Sequence, residues 1–271
     1  MGEDMKRYEC APISVIIPCY KSYQTISRAI SSVWEQTIRP IEVIVVDDFS
    51  NDNKTTNVLK ELADLYPVGW IQIVELSINK GPGNARNIAW DKASQPYIAF
   101  LDADDSWHPY KIEIQYKWME ANPEVYMTGH AFTQYKDQKS IIQVRPEEYT
   151  KFYEVNSKKL LLSNVFSTPS VMLKREIPIR FESEKKYSED YLLWLEINLS
   201  GYQCWRIDLP LTFLHKSAYG ESGLSGNLIE MQKGELETYS KIKRKKLISM
   251  FELVIYKTVS CAKFLIRYLR S

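Results

Sequence analysis

Three carboxylates crowd the end of a short apolar run in Ala99-Phe100-Leu101-Asp102-Ala103-Asp104-Asp105. A strand that delivers Asp102, Asp104 and Asp105 to its C-terminal end offers oxygen ligands of the kind that suit Mg²⁺ or Mn²⁺, ions that usually also bind substrate phosphates. Capping of a following helix is the simpler use of such residues. Three crowded acids exceed what capping needs, and their mutual repulsion calls for a cation. A second carboxylate pair, Asp47-Asp48, closes the β-branched run Ile41 to Val46, where Asp-Phe-Ser-Asn-Asp is also rich in turn formers. A third, Glu189-Asp190, follows Ser188 at the start of an apolar helix, a pattern that also serves as ordinary N-terminal helix chemistry. Arg86 adds a fixed cation with bidentate donors, just after a loop containing Gly81, Pro82 and Gly83.

The elements that must position these groups alternate through the first half of the chain. Strands are expected at Ile13 to Ile17, Ile41 to Val46, Ile71 to Leu76 and Tyr97 to Leu101. Between them, helical spacing appears in Ile26, Ala29, Ile30, Val33 and Trp34, in Val58, Leu59, Leu62 and Leu65, and from about Asn84 to Lys92. Such alternation implies a parallel sheet with right-handed crossovers, whose ligand crevice lies at the carboxyl ends of the strands. The second half is less regular. It has helices at Pro109 to Ala121, at Ser157 to Leu162 and after Ser188, and strands at Tyr126 to Thr133, Val171 to Leu173, Cys204 to Ile207 and Leu211 to His215.

Composition narrows the class. The 271 residues are 45% hydrophobic and 25% charged, an ordinary globular balance, and a net charge of +1 gives no basic field for nucleic acid. Cys10, Cys19, Cys204 and Cys261 form no C-x-x-C pair and read as thiols of a reducing compartment. No signal peptide is expected, and no uncharged apolar stretch reaches the roughly 20 residues of a spanning helix. The tail differs from the rest: Lys241 to Arg270 holds nine basic residues against Glu252 alone. Wound as one helix, it places Leu247, Phe251, Val254, Ile255, Ala262, Leu265 and Leu269 on one side and Lys245, Glu252, Lys263, Arg267 and Arg270 on the other. Such a helix can lie on an anionic bilayer or pack its apolar stripe on the body, and the two are not exclusive.

Five segments in order and in register, Val15-Ile16-Ile17-Pro18-Cys19-Tyr20, Val45 to Ser50, Asn79 to Asn87, Leu101 to Asp105, and Ser188-Glu189-Asp190-Tyr191 with Trp194, resemble the family-two inverting glycosyltransferases over about residues 12 to 216. The resemblance implies an α/β GT-A (Rossmann-like) fold, a mostly parallel central sheet flanked by helices, with an irregular acceptor-binding half and a C-terminal amphipathic helix. It implies one domain over 1–240, its nucleotide-binding half about 12–128 and acceptor half about 129–240, followed by the basic tail 241–271.

By the same resemblance, Asp48 accepts a hydrogen bond from the N3–H of uracil, while Pro18 and Tyr20 flank the base or ribose. The family often has Asn after that tyrosine, where this chain has Lys21. Arg86 lies in the donor site and positions the acidic motif. Asp102 contacts ribose or uracil, Asp104 ligates the Mn²⁺ or Mg²⁺ that bridges the two phosphates, and Asp105 supports the site or caps a helix. Asp190 is the catalytic base and Glu189 orients it or touches the acceptor, with Trp194 either walling the acceptor site or lying in the core. His215 completes the metal shell or touches a phosphate, and Ser222, Gly223 and Ser225 form a mobile lid.

The implied activity is transfer of a hexose or N-acetylhexosamine from a nucleotide-sugar donor, UDP-linked by expectation. The acceptor is a hydroxyl of a glycan or lipid-linked glycan in surface polysaccharide synthesis, met in the cytoplasm or at the inner face of the cell membrane. Two competitors are a sugar-phosphate nucleotidyltransferase and an inactive nucleotide-sugar-binding module. Against the first, Cys19-Tyr20-Lys21-Ser22 stands where a glycine-rich, basic triphosphate loop would be, and against the second stand intact Asp104 and Asp190.

Overall fold

The computed structural model describes residues 9–135, 150–215 and 227–269. The expected lid residues Ser222, Gly223 and Ser225 lie outside them. The chain opens with β1 (Cys10–Cys19), α1 (Ile26–Trp34), β2 (Arg39–Asp47), α2 (Asn53–Leu65), β3 (Ile71–Glu75), α3 (Pro82–Lys92) and β4 (Tyr97–Phe100). β1 pairs in parallel with both β2 and β4, and β2 with β3. The order β3-β2-β1-β4 means that the chain steps outward twice and then crosses back over β1. That reversal leaves a crevice at the carboxyl ends of β1, β2 and β4, the strand ends that carry the predicted site residues.

Both faces of this half are covered. Ile13, Val15 and Ile17 of β1 enter one core with Ile26, Ile30 and Val33 of α1, whereas Ile16 enters the other with Ile44, Val46, Phe100 and Trp90. Strands buried on both faces carry continuous apolar runs, which is why they are conspicuous in the sequence.

The second half contains β5 (Ser106–Trp107), α4 (Lys111–Ala121), β6 (Val125–Gln134), β7 (Phe152–Glu154), α5 (Ser157–Leu162), a 3-10 turn (Thr168–Ser170), β8 (Met172–Lys174), α6 (Glu189–Leu199), β9 (Gln203–Leu214), α7 (Leu228–Arg244) and α8 (Met250–Tyr268). They extend the same sheet in the order β4-β8-β6-β9-β5, with β7 also on β9. β8 runs antiparallel to β4 and β6, and β6 runs parallel to β9. The two strands expected around 204–215 are one strand, β9, whose ladder slips on either side of Pro210, a residue with no N–H to donate. No disulfide joins two cysteines among the described residues.

The tail departs from the single helix expected over 241–270. α7 ends at Arg244, Lys246 turns left-handed at φ 60°, and α8 restarts at Met250. Ser249 and Glu252 make the restart: the Ser249 hydroxyl accepts from the Glu252 N–H at 3.2 Å, and the Glu252 carboxylate accepts from the Ser249 N–H at 2.8 Å. This reciprocal cap is written in the sequence as Ser-x-x-Glu. Of the two alternatives for the apolar stripe, packing on the body is found only at Leu247, while Phe251, Val254, Ile255, Leu265 and Leu269 all face outward.

Candidate active site

At the carboxyl end of β2 the two aspartates do different work. Asp47 closes its own turn, accepting from the N–H and hydroxyl of Ser50. Burial pushes its carboxyl up, and the bonds from Ser50 pull it back. Asp48 reaches across to the loop before α3, where its two oxygens accept the N–H groups of Lys80 at 2.9 Å and Gly81 at 2.7 Å. Asn79 joins the same loop to the Asp48 carbonyl at 2.9 Å. Each carboxylate oxygen keeps further acceptor capacity. The Asp48 N–H bonds to the Cys19 carbonyl at 2.8 Å, which sets Pro18 and Tyr20 beside it at the end of β1. Pro18 is half-buried, and Tyr20 is 49% exposed.

Lys21 has φ 51° and donates its N–H to the Ser50 hydroxyl at 2.7 Å. A left-handed backbone costs most residues about 1–2 kcal/mol, and asparagine tolerates it better than lysine. The family's common asparagine at this place thus has a conformational reason. Lys21→Asn is expected to raise stability by about 0.5 kcal/mol, partly offset by losing the ammonium that lies 5.3 Å from the Tyr20 ring centre. The urea midpoint checks this, and a lower midpoint would refute it.

Arg86 is the centre of the site. It is 4% exposed, on the first turns of α3. One terminal nitrogen donates to Asp102 at 2.7 Å and the other to Glu189 at 3.1 Å, tying residues 16 and 103 positions away in sequence. Its guanidinium carbon lies 5.3 Å from the centre of the Phe181 ring. Burial opposes its charge most strongly, but Asp102 and Glu189 together outweigh that and hold its pKa above the usual value. Gly83 lets α3 come this close: a Cβ there would stand 3.3 Å from the Glu189 Cγ and 3.4 Å from the Phe181 Cβ.

The acidic triplet caps no helix. β5 follows it, and α4 begins only at Lys111 with no side-chain cap at Tyr110. Asp105 is buried, and the nearby backbone N–H of His215 favours its charged form. Burial, then Asp102 and Asp104, push its carboxyl up to about 8. Arg28 donates to the Asp104 carbonyl at 2.6 Å. The His215 Nε2 lies 2.7 Å from the Ser106 hydroxyl, and its ring stacks on Tyr135 at 4.4 Å. Burial, chiefly, lowers its pKa to about 4, so it is neutral at pH 7, the form that binds metals. Among the described residues no group of three or more His, Cys, Asp or Glu side chains is placed to hold a metal ion. This set fits a divalent cation only as one shared with a diphosphate, which would supply the missing oxygens and relieve the crowded carboxylates.

At the start of α6, Ser188 makes no side-chain cap and has φ 55°. A non-glycine residue held left-handed beside two acids is strain at the site rather than helix capping. Glu189 is 9% exposed and bound to Arg86. Asp190 is partly open. Its Oδ1 accepts the Tyr191 N–H at 2.7 Å, and its Oδ2 accepts from Thr168 at 3.3 Å and Asn164 at 3.4 Å. Burial raises both carboxyls, and Asp190 raises Glu189 further. Trp194 is fully buried against Phe100 and Phe181 and belongs to the core beneath the site.

Arg86, Asp102, Glu189 and Asp190 thus form one charged group, next to Asp104, Asp105 and His215. Pro18, Tyr20 and Asp48 stand at the neighbouring strand ends. Sequence reasoning missed Thr168, Asn164 and Phe181, which lie in no motif, Ser106, which directly follows the acidic triplet, and Arg28, which lies off the apolar face of the first helix. The Thr168 hydrogen bond favours ionised Asp190. Thr168→Val should therefore move the acid limb of any activity that needs this carboxylate to higher pH, by up to about one unit. A pH–rate profile checks it, and an unmoved limb would separate Thr168 from the chemistry.

The model of glycosyl transferase family 2 matches residues 14–178. The chain is 31% identical over 262 residues to the UDP-Glc:alpha-D-GlcNAc-diphosphoundecaprenol beta-1,3-glucosyltransferase WfgD of Escherichia coli, covering 94% of this chain and 96% of that one. Among solved structures, S. aureus TarS 1-349 in complex with UDP-GlcNAc superimposes with a TM-score of 0.67 at 20% identity, over 95% of this chain and 72% of that one. The mannosyltransferase PcManGT from Pyrobaculum calidifontis, in complex with GDP-Man and Mn2+, gives a TM-score of 0.63 at 21% identity, over 89% and 68%.

Proposed function

The chain belongs to glycosyl transferase family 2, and from that premise we propose that it inverts the anomeric centre while moving a sugar from a UDP-sugar to a hydroxyl of a diphospholipid-linked glycan. The arrangement that carries this reading is the Arg86 clasp, which binds Asp102 and Glu189 and leaves Asp190 as the open carboxylate. Asp190 takes the proton of the acceptor hydroxyl as its oxygen attacks the anomeric carbon from the face opposite the nucleotide. The bond to the UDP oxygen breaks, and a single displacement inverts the centre. Glu189, held by Arg86, orients this end of α6.

On the donor side, Asp48, Tyr20 and Pro18 surround the uracil and ribose, and Asp102 meets a ribose hydroxyl. Asp104 and His215 would hold Mn²⁺ or Mg²⁺ together with the diphosphate, and the ion would neutralise the leaving group's charge. The nucleotide half spans about 12–128 and the acceptor half about 129–240. WfgD, by its name, uses UDP-glucose and a GlcNAc-diphosphoundecaprenol acceptor, which supports UDP-glucose and a GlcNAc-diphospholipid as the first pair to try. The nucleotidyltransferase reading has no such support.

Calorimetric titration of UDP with Mn²⁺, then with excess chelator, tests the donor site. Metal-dependent binding is expected, and Asp104→Ala should weaken it by about tenfold or more. Equal binding in chelator would remove the metal from the reading. No binding in either condition would remove UDP, and GDP would be titrated next. Transfer from UDP-glucose to a GlcNAc-diphospholipid, followed by the configuration of the product, tests the rest.

A further inference from the structure

α8 is turned inside out compared with an ordinary surface helix. Its inner side packs Leu253 and Tyr256 against the main core and otherwise meets α7 and α5 through polar and aromatic groups. The Gln232 amide donates to Ser260 at 2.9 Å, Tyr256 stacks on Tyr239 at 6.1 Å, and the Lys263 ammonium reaches back to the Leu162 carbonyl. Ser260 is the one fully buried residue of the helix. The outer side, about a third of the circumference at 100° per residue, holds Phe251, Val254, Ile255, Leu265, Ile266 and Leu269, each between 40% and 76% exposed. No Asp, Glu, Lys or Arg lies on that arc among the described residues. Lys257 borders it on one edge, and Glu252 and Lys263 border it on the other.

Contiguous apolar surface of this kind marks an interaction site. Charge identifies the occupant. Residues 241–271 carry nine basic side chains against Glu252, a net +8, while the whole chain carries +1, so the remaining 240 residues carry −7. Two copies meeting through α8 would bring two +8 segments together. An anionic lipid surface instead offers acyl chains to the apolar arc and negative headgroups to Lys243, Arg244, Lys246 and the border lysines. No described helix is long and apolar enough to cross a membrane, so α8 lies on the surface rather than through it.

We propose that the outer face of α8 docks this protein on an anionic bilayer, with its apolar arc in the interface and its basic border on the headgroups. The proposal deepens the reading of a lipid-linked acceptor and rests on it for its purpose, since docking holds the protein in the plane where such an acceptor's diphosphate emerges. Its physical basis, α8 itself, is separate from the donor site.

Flotation of the full chain with vesicles tests it, without donor or acceptor present. Phosphatidylcholine vesicles containing about a third phosphatidylglycerol should bind at least about tenfold better than phosphatidylcholine alone, with binding falling as salt rises. Phe251→Ser with Leu265→Ser, both exposed, should cut binding by about tenfold or more while UDP affinity stays unchanged. Lys243→Gln with Lys246→Gln should remove most of the anionic preference. Failure of the unaltered chain to float, or equal flotation of the serine variant, would overturn the proposal. A dimer in sedimentation that the serine variant abolishes would also overturn it, by giving the face to a second copy. Flotation without any transfer activity would leave docking standing and count against the acceptor reading. Transfer to a water-soluble acceptor without flotation would do the reverse.

Discussion

Asp190→Asn should lower kcat for sugar transfer by about 10²–10⁴-fold, the usual worth of a positioned general base. The affinity for UDP should stay within about twofold, because among the described residues the Asp190 carboxylate is hydrogen-bonded to Tyr191, Thr168 and Asn164, and the proposed mechanism gives it the acceptor hydroxyl rather than the donor. Asparagine fills the same volume and can still accept the Tyr191 N–H through its carbonyl. The melting temperature should therefore barely move, and the loss should belong to chemistry. Glu189 is a poor substitute base, since it is buried and its carboxylate is held by Arg86. Steady-state kinetics beside UDP titration read both halves of the expectation. A variant that keeps transfer within a few-fold would remove Asp190 as the base, and one that loses UDP binding would place it on the donor.

The native chain's pH profile belongs with this experiment. Burial raises the Asp190 and Glu189 carboxyls above the ordinary range. The base must be ionised, so activity should rise with pH along a limb displaced upward from that of an exposed carboxylate. The residual activity of Asp190→Asn should lack that limb.

Arg86→Met is expected to be the most damaging single change to stability, at about 3–5 kcal/mol, the cost of leaving a buried partner charge uncompensated. The methionine keeps much of the arginine's length and its contact with Phe181, so the loss isolates the charge. Asp102 keeps more access to water, but Glu189 does not. Arg86→Met combined with Glu189→Gln should recover about 1–3 kcal/mol of the sum of the two single losses, because a neutral amide leaves no buried charge behind. Denaturant titrations of the four proteins close the cycle, and strict additivity would show that Arg86 and Glu189 do not act as a pair. UDP binding should fail in both Arg86 variants, since Asp102 loses the group that aims it.

The sign of the pH effect follows from Glu189. Its pKa is raised in the folded chain, and the attraction of Arg86 restrains that rise. A group with a raised folded pKa binds more protons when folded, so its contribution is present at low pH and is lost as pH climbs from the ordinary glutamate range through the folded value. Removing Arg86 raises the folded value further. The variant's deficit should then be smaller in mild acid and larger at alkaline pH.

Much of this protein is legible along the chain. Parallel strands buried on both faces demand unbroken apolar runs, and each run ends where the backbone enters the crevice. Asp48 and Asp102 are therefore found at strand ends by reading alone, and Ser188-Glu189-Asp190 by its place before an apolar helix. The two- and three-residue strands β5 and β7 carry too little pattern to be seen. They exist because β9 offers them an edge to pair with.

Other features are set by contacts between distant segments. Arg86 could have been a surface arginine, but the approach of α6 over Gly83 makes it the buried clasp between Asp102 and Glu189. That same clasp gives two adjacent acids different surroundings: Glu189 is held by Arg86, whereas Asp190 bonds Tyr191, Thr168 and Asn164. The fully buried Trp194 goes to the core because Phe100 and Phe181 enclose it. The sequence of α8 contains an apolar face and a charged face, and either could have met the body. The choice is made by α7 and the core beside it: Leu253 and Tyr256 pack inward, Gln232 bonds Ser260 and Tyr239 stacks on Tyr256, and the wider apolar arc of α8 is left outward.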